Sequence, residues 1–152
     1  ESRPLSLRKT GMKQLFVDTS AWGALADRAD KDHARALQFR DEIVGKCKLV
    51  TSNYILDELY TLLLMNVGLH PTIDYKKKLD ILIEEHVLEI IWIDPSLAKQ
   101  GWDVFEQYNT DKSWSFTDCT SYAAMKQSGI AEAFAFDHHF EQMGFILLPL
   151  NH

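Results

Sequence analysis

Cysteine is nearly absent from the 152 residues: Cys47 and Cys119 are too few and too far apart for a disulfide scaffold or a thiolate metal site. Both read as buried thiols of a reducing compartment. No apolar run approaches the roughly 20 residues that span a bilayer, and the amino end lacks the charged-then-apolar layout of a secretory leader. A cytoplasmic chain with no membrane partner is therefore expected. Repeats and low-complexity tracts are missing too. Basic charge is scarce, with 16 Lys and Arg against 22 Asp and Glu and a net charge of −6. That balance excludes a broadly basic surface of the kind that coats nucleic acid. Only local clusters remain: Arg3, Arg8, Lys9 and Lys13 near the start, Lys76 to Lys78 mid-chain, and Lys112 and Lys126 later.

What is present is enough apolar residue, 46% with 11% aromatic, to bury one substantial core. Residues 1–11 have no periodicity and carry a proline, so they read as a flexible extension or cloning remnant, and 12–152 as a single domain. From Met12 onward, short apolar runs alternate with longer stretches of helical period, the pattern of an α/β protein with helices on both faces of a mainly parallel sheet. Five strands are expected, at 14–17, 48–51, 88–93, 133–136 and 145–148. Helices are expected at 32–44, 53–66, 72–85, 96–108 and 117–127. Gly68 and Pro71 mark a turn that would join the second and third of these into a projecting pair. The apolar helix around 55–67 is a candidate interface.

Four acids stand at informative places. Asp18 follows Leu15-Phe16-Val17 directly and precedes Thr19-Ser20, where the first strand should end and a helix begin. Asp137 repeats the arrangement after Ala133-Phe134-Ala135-Phe136. Ligands of open parallel sheets bind outside the carboxyl ends of strands, at a switch in strand order. Glu58 projects at the border of the apolar arc of Ile55, Leu59 and Leu62, whereas Asp57 points away from it. Asp118 closes Ser115-Phe116-Thr117-Asp118, a capping box at a helix start. Each acid alone is also explained as a cap, a turn former or a solvated edge residue. Together they describe a cluster that needs a cation, because ionised carboxylates a few ångströms apart repel unless a divalent ion neutralises them. All-oxygen ligation, without cysteine or an obvious histidine spacing, favours Mg²⁺ or Mn²⁺ over Zn²⁺. Such an ion generates hydroxide and steadies a leaving oxygen, as phosphodiester hydrolysis requires.

The runs Phe16-Val17-Asp18-Thr19-Ser20-Ala21-Trp22, Leu56-Asp57-Glu58-Leu59, Ser115-Phe116-Thr117-Asp118-Cys119 and Phe136-Asp137-His138-His139-Phe140, the last followed by Gly144-Phe145, resemble those of the PIN-domain family. Within it, they resemble the VapC-type toxin ribonucleases of toxin–antitoxin pairs. The likeness covers nearly everything from Met12 onward, and the four motifs in this order are fairly specific. It implies a three-layer α/β/α domain that holds one or two Mg²⁺ or Mn²⁺ ions and cuts single-stranded or looped RNA. Asp18, Glu58, Asp118 and Asp137 would then be both catalytic and metal-binding. Thr19, Ser20 and Thr117 match positions where the family often has hydroxyls near the metal or substrate, and Asp111, beside Lys112, is a weaker candidate for a place behind the ligands. A small antitoxin and a homodimer are the implied partners. The pair His138-His139 departs from an all-acid site.

Other readings share parts of the pattern. A PIN nuclease of RNA processing or of structured DNA would have the same acids, but usually in longer chains. A non-catalytic receiver-like domain would want adjacent acids after the first strand and a lysine after the last, where this chain has Thr19-Ser20 and Pro149. A haloacid-dehalogenase-like phosphatase would want Asp-x-Asp, and Ser20 fills the second place.

Overall fold

The structure, a computed structural model, describes residues 12–151. The extension expected at 1–11, with Arg3, Arg8 and Lys9, lies outside the described residues. The chain runs β1 (Lys13–Val17), α1 (Thr19–Ala26), α2 (His33–Ile43), β2 (Cys47–Ser52), α3 (Asn53–Val67), α4 (Leu69–Glu84), β3 (Leu88–Ile91), α5 (Pro95–Tyr108), α6 (Phe116–Ser128), β4 (Glu132–Phe134), α7 (His139–Gln142) and β5 (Ile146–Leu148).

All five strands are parallel, in the order β3-β2-β1-β4-β5. This is the α/β architecture expected. Central β1 buries Leu15, Phe16 and Val17 on successive positions, so both of its faces are covered by helices. The chain first builds outward from β1 through β2 to β3. It then crosses back through α5 and α6 to place β4 on the other side of β1. That reversal makes the gap between the ends of β1 and β4 the switch point of the sheet. The Asp18 amide spans it, donating to the Phe134 carbonyl at 3.0 Å.

Three strands are shorter than their apolar runs, because side chains or turns take the backbone groups that a longer ladder would need. The Ile93 amide donates to Asn53 Oδ1 at 2.6 Å, so β3 stops at Ile91. The Phe136 amide donates to Ser20 Oγ at 3.0 Å, beyond the end of β4. The Phe145 amide closes the turn after α7 by donating to the Phe140 carbonyl at 3.0 Å, which leaves Ile146 to begin β5.

Helix α3 starts on the Ser52 cap, whose hydroxyl accepts the Ile55 amide, and it buries Ile55, Leu59 and Leu63. The turn to α4 is tighter than expected. Gly68 alone makes it, at φ +90°, and Pro71 lies inside the first turn of α4, where its missing N–H has no partner to lose. Helices α5 and α6 approach closely at Gly101, where a Cβ would lie 2.7 Å from Thr120 Cγ2 and 3.1 Å from its Cα. Trp22 anchors α1, its Nε1 donating to Thr51 Oγ1 at 3.3 Å, and Thr51 in turn donates to the Val17 carbonyl at 2.9 Å. Both thiols are free, Cys119 buried in α6 and Cys47 half-buried in β2. Among the described residues no helix is long and apolar enough to cross a membrane.

Candidate active site

Asp18 leaves β1 at the switch point and caps α1, with one carboxylate oxygen accepting the Ser20 hydroxyl at 2.7 Å and the Ser20 amide at 3.2 Å. The same hydroxyl accepts the Phe136 amide, so Ser20 ties the end of β1 to the segment that carries Asp137. Asp18 is 5% exposed. Burial raises its carboxyl from an ordinary 3.8 to about 7, opposed by the Ser20 hydrogen bonds and reinforced by the charges of Asp118 and Asp137.

Asp118 sits in the first turn of α6 as the capping box predicts. Its Oδ2 accepts the Ser115 amide at 3.0 Å, while its own amide donates to Ser115 Oγ at 3.0 Å. The cap and the site are one structure, because the same Oδ2 lies 2.7 Å from His139 Nδ1. Asp137 accepts the His139 amide at 2.9 Å and lies 3.2 Å from the same Nδ1. Ligand atoms of Asp118, Asp137 and His139 all fall within 4.8 Å of one another.

Glu58 joins from the side. It is exposed on α3 and accepts the hydroxyl of buried Thr19, the residue after Asp18; like Asp18, it lies outside the three-residue group. Asp57 faces water, as its angle on the helix requires. Thr117 is half-buried, and its carbonyl accepts Thr120 Oγ1 at 2.9 Å. Asp111 is drawn outward, its side chain 73% exposed and 3.5 Å from Lys112.

The expected basic residues are partly committed elsewhere. Lys13 pairs with Glu132 at 2.9 Å where β1 and β4 begin, the opposite edge from Asp18. Lys126 lies over the rings of Tyr122 and Phe145. An open groove beside the acids is lined by Ser20, Gly23, Leu62 and Asp137, with Lys31 between Asp30 and Asp32 on its rim. Sequence reasoning passes over Lys31 because Asp30 and Asp32 on either side make the segment read as acidic.

The sequence marks His138-His139 as a departure where an imidazole could alter the site, but it does not say which of the two, and the short helix that carries His139 is not among the expected ones. The usable signal is Phe140, fully buried beside Phe16 with ring centroids 6.3 Å apart, which forces the neighbouring residue to a definite place. His138 is of another kind, 71% exposed and paired with Glu141 at 2.9 Å.

A parallel α/β domain that gathers carboxylates at its strand-order switch has oxygen donors where a cation could bind. The PIN domain family matches residues 15–146 of this chain. The chain is 32% identical over 133 residues to the 23S rRNA-specific endonuclease VapC20 of Mycobacterium tuberculosis, across 87% of its own length and 95% of that protein. The crystal structure of that Mycobacterium tuberculosis toxin, a sarcin-ricin loop cleaving one, matches with a TM-score of 0.75 at 30% identity, covering 87% of this chain and 96% of that one. Two more distant structures show the same fold. VapBC2 from Rickettsia felis, bound to a DNA fragment from its promoter, matches at TM-score 0.62 and 13% identity over 88% of this chain and 96% of that one. PAE2754 from Pyrobaculum aerophilum matches at 0.60 and 16% over 97% and 92%. The chain belongs to the PIN-domain family, on the branch of the VapC-type toxin ribonucleases.

Proposed function

We propose that this chain is a divalent-metal-dependent endoribonuclease, the toxin of a toxin–antitoxin pair, that hydrolyses a phosphodiester bond in a looped RNA. The observation that carries the reading is the gathering of acids at the strand-order switch, where the carboxyl of Asp18 is buried beside the charges of Asp118 and Asp137, which reinforce the upward push that burial gives it. A bound cation would return it to the charged form, so the donors fit a divalent ion. Asp18, Asp118 and Asp137 would hold Mg²⁺ or Mn²⁺, one ion or two, with Glu58 approaching over Thr19. When bound, the ion supplies a hydroxide at neutral pH and neutralises charge on the scissile phosphate.

The chain's own residues do the rest. Ser20 fixes the Asp18 carboxylate and holds the two strand ends together. Ser115 fixes Asp118. The likeness to a 23S rRNA-specific endonuclease, across nearly the whole of that protein, makes a loop of the large-subunit rRNA the first substrate to try. A small antitoxin and a second copy of the chain are the proposed partners. Apolar Leu64, Met65 and Leu69, each at least half exposed on the α3–α4 hairpin, support a contact surface there.

The test is cleavage of a pool of structured and unstructured RNAs, including 23S rRNA loops, with Mg²⁺, with Mn²⁺ and with EDTA, beside Asp118→Asn. Cutting that needs metal and is lost in the variant is the expected result. Cutting that survives in EDTA, or in Asp118→Asn, would remove the metal site from the reaction.

A further inference from the structure

Near the acids one nitrogen keeps company with the oxygens. His139 Nδ1 lies 2.7 Å from Asp118 Oδ2 and 3.2 Å from Asp137 Oδ1. Neighbouring ligands around an octahedral ion, each at the 2.0–2.1 Å typical of Mg²⁺, stand about 3 Å apart. The two separations bracket that spacing. At these distances the ring nitrogen either carries a proton and donates it to the carboxylates or, unprotonated, offers its lone pair to an ion that the two aspartates share.

The imidazole is held in place rather than swinging free. Its own amide donates to Asp137 Oδ1 at 2.9 Å. The helix that carries it is anchored on one side by fully buried Phe140, and on the other by Gln142, whose Oε1 accepts Trp114 Nε1 at 2.8 Å. Trp114 is buried one residue before Ser115, the cap of α6, and its backbone is clamped by the Asn109 side chain, which donates to its carbonyl and accepts its amide, both at 2.9 Å. The turn before Asp118 and the helix of His139 are thus fastened to each other independently of the contact between the two side chains. His138, next in line, points to solvent.

We infer that His139 is a ligand of the bound ion, giving the centre one nitrogen beside the oxygens of Asp118 and Asp137 and a preference for Mn²⁺ over Mg²⁺. Mg²⁺ is a hard ion that takes oxygen, whereas imidazole binds first-row transition ions well. An all-acid centre would discriminate less between the two. The inference rests on the metal reading of the site and adds to it which residue selects the ion.

The experiment measures binding of Mn²⁺ and of Mg²⁺ separately by calorimetry, without RNA, on the full chain and on His139→Ala, His139→Asp and Asp118→Asn. Mn²⁺ spin-echo spectra are recorded for coupling to ¹⁴N. The expected result is a ¹⁴N coupling in the parent chain that disappears in both His139 variants. His139→Ala should bind Mn²⁺ about 10- to 100-fold more weakly, the range seen when support around a metal is removed. Its Mg²⁺ affinity should change far less, and His139→Asp should bind Mg²⁺ at least as tightly as the parent while losing the preference for Mn²⁺.

Mn²⁺ bound through Asp118 with no ¹⁴N coupling, and equally well in His139→Ala, would overturn the role of His139 and leave the metal centre standing. Tighter binding in His139→Ala would overturn it as well, since the ring would then be competing with the ion. Failure of the parent chain to bind either ion would take down the metal reading and this inference together.

Discussion

At the carboxyl edge of the sheet Asp18, Thr19, Thr51, Ser52 and Asp118 are buried, while at the turn of the α3–α4 hairpin Leu64 and Met65 are 50% and 78% exposed. The two regions invert the ordinary partition of residues. Burial of polar groups is tolerated at the edge because the hydroxyls there are engaged: Thr51 with Val17 and Trp22, Ser20 with Asp18 and Phe136, Thr19 with Glu58. What that network leaves over is charge, gathered from acids that pair with no lysine or arginine among the described residues. The hairpin leaves over apolar area. On the function proposed above, the first region would take a cation and the second a covering surface.

The strongest way to break this comparison is Asp118→Asn. Asparagine keeps the shape and can still accept the Ser115 amide, so α6 should stay capped, at a cost below about 1 kcal/mol. Cleavage should fall by two to three orders of magnitude, roughly, because loss of charge at a metal centre removes several kcal/mol of transition-state stabilisation. Single-turnover rates with circular dichroism on the same samples separate the two effects. A variant that unfolds would make the capping role dominant.

Asp18→Asn comes next, and its effect depends on pH. In EDTA the folded chain holds a proton on Asp18 up to about pH 7, whereas the unfolded chain releases it near 3.8. Between these values the folded state binds more protons, so stability falls as pH rises from about 4 to about 7 and stays low above that. The full loss is at most about 4 kcal/mol. Asp18→Asn should remove it, making the variant more stable than the parent at pH 8 and little different at pH 4. Urea titrations at the two pH values check the sign. Added Mn²⁺ should restore the parent and not the variant.

These two acids are legible in the amino-acid sequence because each is fixed by local chemistry. An aspartate right after an apolar strand lands at the sheet edge, and an aspartate three residues after Ser115 lands in the first turn of a helix. Asp137 is legible for the same reason as Asp18. Glu58 needs only its angle on α3, although its approach through Thr19 does not show in that angle. The sheet order, the Gly68 turn with Pro71 absorbed into α4, and the strand ends capped by Asn53 and Ser20 depend on groups distant in sequence. The sequence flags the His138-His139 pair but not which of the two faces the acids, since the partner Asp118 is 21 residues away on another element.

Gly101→Val tests whether the edge is held from behind. The added Cβ would meet Thr120 at 2.7 Å from Cγ2 and 3.2 Å from its backbone nitrogen, and backbone cannot fold out of the way. Separating α5 from α6 should cost about 1–3 kcal/mol, measured by denaturant unfolding. Because α6 carries Asp118, the folded fraction should also cleave more slowly than the parent. Unimpaired cleavage by the folded variant would mean that the position of Asp118 is set by Ser115 and His139 alone.

The smallest effect on stability belongs to the hairpin. Leu64→Gln with Met65→Gln changes two exposed side chains on the face of α3 opposite buried Ile55, Leu59 and Leu63, so unfolding free energy should stay within about 0.5 kcal/mol of the parent. The consequence should appear in association instead, as a shift toward monomer in sedimentation velocity at matched concentration. A variant that associates like the parent would leave the exposed leucine and methionine as ordinary surface, and the asymmetry between the two regions would reduce to the acidic edge. A variant that loses association at unchanged stability would show that the apolar residues of α3 divide their work, the inner face holding the core and the outer face holding a second chain.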